Sequence, residues 1–304
     1  MWITIAILSS IIFGIASVIM KSASIKKCSD HYVLWGLYFT GTLVFLITSY
    51  GKLSFNFNIS ILLAALIIAI GSYFGNWLFI KALEVGPASL TASMLNINLP
   101  IIILMSVFVY GEELNYIKVA IIFLLFIAVL LVKLDPNEKM VIKDKKWFIW
   151  VVLSSGFLFL REGGLKITLE LGYNNQIILL YSYIICLLLS SIAIIKKEYN
   201  ILKQSNSTYE ATQKLKSVNT YFRENNTSGL YFGLVTGICS GVGLCLYSEA
   251  LILGPTSLVA LIFSARSMVI VVMSYLLHKE RLSMFQKCSV LFLCIGLSLA
   301  SFIK

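Results

Sequence analysis

Ala82-Leu83-Glu84-Val85-Gly86-Pro87-Ala88-Ser89-Leu90 and Ala250-Leu251-Ile252-Leu253-Gly254-Pro255-Thr256-Ser257-Leu258 are one turn written twice, at an offset of 168 residues. Each copy closes one apolar run and opens another. Glycine lets a helix end in a left-handed turn, and proline is tolerated in the first turn of the helix that follows. Each copy therefore predicts a tight helical hairpin. Reading on at the same offset without a gap, Met105-Ser106 meets Met273-Ser274, and Glu112 and Leu114 meet Glu280 and Leu282. From 81 to 114, 12 of 34 positions are identical. Upstream, Trp2, Leu8-Ser9-Ser10 and Lys21 meet Trp147, Leu153-Ser154-Ser155 and Lys166 at an offset of 145. The polar stretch 196–228 absorbs the 23-residue difference between the two offsets. The chain is read as two related halves, 1–133 and 147–304, joined by a connecting loop 134–146, with 196–228 as a polar insertion loop in the second.

Around these turns the chain is apolar. Of 304 residues, 59% are hydrophobic and 12% are charged, against about 25% charged in a soluble domain. A helix crossing a bilayer needs about 20 apolar residues. Ten stretches qualify: 2–23, 32–50, 59–83, 87–110, 116–132, 147–169, 176–195, 229–251, 255–277 and 284–303. Strands of a membrane barrel would instead alternate over about ten residues. The first stretch, MWITIAILSSIIFGIASVIM, lacks the basic start and small-residue cleavage site of a signal peptide, and is read as a retained span. Five spans per half is an odd number, so the second half enters the membrane from the opposite side. The expected fold is all-α and multi-pass in the cell membrane, with ten transmembrane helices in two inverted five-helix repeats. Such pairs place a substrate site between the repeats near the midplane.

The basic balance, 24 Lys and Arg against 14 Asp and Glu, does not point to nucleic acid. Most of the basic residues lie between apolar runs, where they set orientation and meet anionic headgroups. Enzyme chemistry finds no constellation either. Asp30, Asp135 and Asp144 all lie in loops, the two histidines sit at helix ends, and neither HExxH nor a phosphate-binding P-loop occurs. None of the six cysteines forms a CxxC pair. No cofactor or metal site is expected.

Charges inside a membrane are costly and mark candidate sites. Arg266 falls eleven residues after Pro255, roughly half the hydrocarbon thickness at about 1.5 Å per residue. At the 168 offset it matches Asn98, beside Asn96. The functional reading is that Arg266 binds a carboxylate or phosphate while Asn96 and Asn98 donate hydrogen bonds; the bland reading is a structural salt bridge from Arg266 to Glu162. Arg161 and Glu162 are adjacent and point about 100° apart on a helix, so one or both face a cavity or a partner. Glu162 is a candidate coupling carboxylate. Lys21 and Lys166 are coupling candidates or snorkelling side chains. Lys81 and Glu84, at i, i+3, read as an ion pair at the interface. Trp77, with Tyr73, is a candidate aromatic wall of the substrate pocket. Gly71 and Gly75, and Gly233, Gly237 and Gly241, are spaced for close helix packing in lipid.

The hairpins carry a resemblance. Half one reads A-L-x-x-G-P-A-S, then Leu99-Pro100, then Tyr110-Gly111-Glu112-Glu113-Leu114; half two reads A-L-x-x-G-P-T-S, then His278-Lys279-Glu280-Arg281-Leu282. This resembles the drug/metabolite transporter superfamily, of the EamA type, over nearly the whole chain. Lys21 and Lys166 fit the same pattern. Two departures are Met268, where half one has Pro100, and the 33-residue stretch 196–228. The resemblance implies a secondary transporter that moves a small organic metabolite by alternating access, with export the expected direction and a coupling ion a candidate partner. Uptake of an anionic metabolite is the alternative, and a channel or lipid-carrier flippase the alternative of another class. Orientation divides the arguments. One side of the predicted topology holds sixteen Lys and Arg, the other only Lys52, Lys118 and Lys304. The positive-inside rule then puts both termini outside, whereas the resemblance implies termini inside; the charge count is followed here.

Overall fold

The computed structural model describes residues 1–50, 59–96, 98–111, 146–205 and 212–278, with isolated positions between 113 and 144 and between 284 and 299. Its elements are α1 (Trp2–Ile25), α2 (Asp30–Ser49), α3 (Ile59–Val85), α4 (Ala88–Leu95), α5 (Asn98–Phe108), α6 (Lys146–Glu170), α7 (Asn175–Ser205), α8 (Thr212–Leu253), α9 (Thr256–Phe263) and α10 (Arg266–His278). Aliphatic runs of this length can satisfy every backbone group internally only as helices. Among the described residues, seven segments are long and apolar enough to cross a membrane, and Asn98–Phe108 is a shorter apolar helix. The spans read at 116–132 and 284–303 fall largely outside the described residues.

Two sequence expectations change. The fourth span of each half is not continuous. In half one the break lies between α4 and α5, and in half two Ser264 and Ala265 form a turn between α9 and α10. The second pieces start at Asn98 and Arg266, which are counterparts at the 168 offset. Pro100 explains the first break, since its ring clashes with the carbonyl four residues back and fits only a first turn. Met268 holds the matching place, so half two breaks by other means. Its turn is built from i→i+3 bonds, Ala265 N–H to Ile262 O at 3.0 Å and Ser267 N–H to Ser264 O at 3.0 Å. Two serine hydroxyls add bonds to the backbone, Ser264 to Leu261 O at 2.6 Å and Ser267 to Ser264 O at 2.8 Å. Serine competes with helix geometry in this way. The second change concerns 196–228. Its described residues, 196–205 and 212–228, continue α7 and α8 as helix, giving them 31 and 42 residues, far beyond the roughly 20 that cross a bilayer.

The repeat is visible as contacts that occur twice. Ser9 donates to Gly243 O at 2.6 Å, and Ser154, its counterpart, donates to Gly75 O at 2.8 Å. A Cβ added to Gly254 would meet the Trp2 ring, and one added to Gly86 would meet Trp147. In each case the first helix of one half packs on the third helix of the other: α1 on α8, and α6 on α3. Tyr38 and Tyr183, also counterparts, touch each other edge to face at 5.2 Å. Contact between a residue and its own counterpart is what a two-fold axis produces. Around that pair Tyr32 reaches Glu198 and Trp35 reaches Ser191, so α2 and α7 run antiparallel.

Glycines set the closest approaches. Gly233, Gly237 and Gly241 of α8 face Val33, Leu37 and Val44 of α2, and Gly71 and Gly75 of α3 face Phe157 and Leu158 of α6. An added Cβ at Gly71 would stand 2.6 Å from Phe157 O, closer than packed atoms allow. Thr40 uses the proximity to donate to Leu234 O at 2.8 Å. Dispersion and interhelical hydrogen bonds, rather than a hydrophobic force, hold such helices in lipid.

Candidate functional site

The breaks in the two fourth spans meet. Asn96, at the first break, donates from Nδ2 to Ser267 Oγ, just past the second, at 3.2 Å. Beside them Glu162 projects from α6 and collects three donors. Its Oε1 accepts from Arg161 Nη2 at 3.0 Å and from Arg266 Nη1 at 2.7 Å, and its Oε2 accepts from Asn98 Nδ2 at 2.9 Å. Asn98 opens α5 and Arg266 opens α10, so one carboxylate ties the start of both half-helices to α6. The group is deeply buried: Arg161 is 0% exposed, Glu162 2% and Arg266 5%.

Charge counting gives the cluster its character. At an effective dielectric near 20, a close opposite pair contributes roughly 4 kcal/mol. That offsets the about 2.5–3.5 kcal/mol cost of one charge at the centre of a membrane helix. One carboxylate balances one guanidinium, and the second leaves the cluster one positive charge in excess. Part of that excess rests on aromatic faces. The ring of Phe13 lies 5.2 Å from Arg161 Cζ and 5.4 Å from Arg266 Cζ, and Phe263 lies 4.4 Å from Arg266 Cζ. The ring quadrupole attracts a cation placed over its face.

Both arginines line a cavity. Its polar wall includes Ser17, Asn76, Thr236 and Ser240, and Phe79 and Leu158 are among its apolar residues. Asn76 is fixed by donating to the Tyr38 hydroxyl at 3.1 Å, which itself donates to Ser72 O at 2.8 Å. Ser240 shares a hydrogen bond with Tyr183 at 3.2 Å. The two tyrosines on the symmetry axis thus each hold a polar group of the wall.

Of the residues singled out from sequence, Arg161, Glu162, Arg266, Asn96 and Asn98 come together here. Trp77 is half-buried against the core and does not line this cavity. Lys21 caps the end of α3, donating to Leu83 O at 2.9 Å and Gly86 O at 2.8 Å. A cation is favoured there by the free carbonyls and the helix dipole. Lys166 pairs with Glu170 at 2.5 Å and lies over the Tyr110 ring. Lys81 bridges Asp30 at 2.6 Å and Glu84 at 3.2 Å. Phe13, Asn76 and Ser240 were not singled out in sequence. An aromatic, an amide and a hydroxyl within apolar runs are ordinary residues, and only the repeat offers a signal: Leu158, the counterpart of Phe13 at offset 145, lines the same cavity.

Residues 1–134 and 146–302 match a family described as the EamA-like transporter family. A solved crystal structure of a protein without further description aligns over 97% of this chain and 98% of its own, with a TM-score of 0.58 and 14% identity. At that identity the likeness speaks to the fold. Comparison with curated proteins finds no match.

Proposed function

As this chain belongs to the EamA-like transporter family, we propose that it is a secondary transporter of the cell membrane that moves a small organic anion by alternating access, in the export direction. The observation that carries this reading is the buried cluster of Arg161, Glu162 and Arg266, joined by Asn98 where two helices break at matched positions. Discontinuous helices at the centre of inverted repeats are a recurring way to expose polar groups to a solute inside lipid. The doubled contacts between α1 and α8 and between α6 and α3, and the antiparallel course of α2 and α7, support two five-helix units of opposite sense. Rocking one unit against the other would expose the cluster to each side in turn. In this reading Arg266 binds the anionic group, Asn96 and Asn98 orient it, and Arg161 and Glu162 complete the pocket.

The test uses purified protein in liposomes, screened with labelled metabolites for saturable uptake and counterflow. Arg266→Ala is expected to abolish uptake at matched expression. Arg266→Lys is expected to retain a small part, because an ammonium keeps the charge but not the planar fork of donors. Full activity in both variants would remove Arg266 from the mechanism. Accumulation in inside-out vesicles but not in right-side-out ones is the result expected of export.

A further inference from the structure

The transporter reading leaves the cargo's chemistry open, and the inference here rests on that reading. We propose that the cavity takes a small organic monoanion with an apolar body and no ammonium group, such as a monocarboxylate, and that Arg161 joins Arg266 in gripping its anionic head.

Arg161 is the decisive residue. Among the described residues, only Nη2 of its three guanidinium nitrogens is engaged, with Glu162; Nε and Nη1 are buried without a hydrogen-bond partner there. A fully buried guanidinium with unsatisfied donors is a costly arrangement unless something else accepts from them. Phe13 and Glu162 hold the side chain in place from two directions, so the guanidinium keeps a fixed geometry beside the cavity that Arg161 lines. A carboxylate, planar and rich in lone pairs, is the natural complement of such donors.

The charge count sets the valence. Two guanidiniums and one carboxylate leave a single positive charge, which a monoanion neutralises and a dianion overshoots. An ammonium finds little here. Glu162 already receives three hydrogen bonds, about three of the four that a carboxylate accepts, and no other acidic side chain lines the cavity among the described residues. A zwitterionic amino acid would bring its cation against the excess positive charge. The remaining wall is mainly apolar, with Met20, Leu37, Phe79, Leu95 and Ile270, which fits a hydrocarbon or aromatic body.

Four probes with one phenyl body separate these properties: phenylacetate, its neutral amide phenylacetamide, zwitterionic phenylalanine and dianionic phenylsuccinate. Hexanoate serves as an aliphatic monoanion. Binding to the purified full-length protein is read by thermal shift and by tryptophan fluorescence. Phenylacetate or hexanoate is expected to bind at least tenfold more tightly than the other three. Arg161→Gln is expected to erase that preference, and Arg161→Lys to keep the preference for anions with weaker binding. Preference for phenylalanine or phenylsuccinate, no binding of either monoanion, or unchanged affinity in both Arg161 variants would overturn the proposal. Uptake of a zwitterion that depends on Arg266, without monoanion binding, would sink this inference and leave the transporter reading standing. No saturable uptake of any solute would instead sink the transporter reading.

Discussion

Glu162 stands between two guanidiniums that would otherwise face each other across a dry interior. Removing it is therefore a different experiment from removing one of them. Glu162→Ala leaves two buried positive charges without a counterion, whereas Arg266→Ala leaves the neutral Arg161–Glu162 pair. Stranding a buried charge costs about 3–5 kcal/mol. The thermal unfolding midpoint in detergent should fall further for Glu162→Ala than for Arg266→Ala. Equal losses, or the reverse order, would contradict a cluster with excess positive charge. The charged members of this group were legible in the sequence because an intramembrane charge is expensive wherever it points. Their partners were harder to see. The sequence reading left open whether Arg266 pairs with Glu162 or binds cargo; the geometry shows the pair, and among the described residues it leaves donors on Arg161 unpaired. Phe13 escaped notice because an aromatic among aliphatics has no distinctive cost.

Helix packing extends the argument from side chains to backbones. A Cβ on Gly233 would overlap the carbonyl of Val33, a backbone atom that cannot swing aside, while a Cβ on Gly156 meets nothing within 4 Å among the described residues. Overpacking of this kind costs roughly 1–3 kcal/mol, whereas alanine in an open helical position gains up to about 1 kcal/mol over glycine. Gly233→Ala should lower the unfolding midpoint and Gly156→Ala should hold or raise it; similar effects from both would mean that the α2–α8 contact is looser than its geometry. The glycine spacing was readable because every fourth residue of a helix shares a face. The helix breaks were not. Pro100 had no twin in half two, and serines at 264 and 267 look like any small residues until their hydroxyls are seen to bond the backbone. Nor was the helical course of 196–205 and 212–228 evident, because a polar run outside the membrane is compatible with helix as readily as with loop.

The two halves also fix which ends of the helices share a face, and this bears on orientation. Lys197 donates to Ser29 Oγ at 2.7 Å, and Gly229 packs beside Ser29. Lys197 of α7 and Gly229 of α8 therefore lie with Lys26 and Lys27. Trp147 and Lys21 both meet Gly86, which brings the start of α6, and Lys146 with it, to the end of α3. Trp2 meets Gly254 at the end of α8, on the opposite face. The repeat explains the doubled contacts, and its offsets were legible in sequence; the self-contact of Tyr38 and Tyr183 was not, since a single matched tyrosine carries no statistical weight. Basic residues thus gather on one face and the N-terminus lies on the other, and lysine and arginine near span ends are retained on the cytoplasmic side. The N-terminus is accordingly expected outside, against the orientation that the family resemblance implied. An impermeant maleimide applied to intact cells should not react with Ser207→Cys above the level of the parent chain, and should react once the membrane is opened. Reaction in intact cells would place the basic face outside, and would show that something other than these lysines determines how the first helix enters.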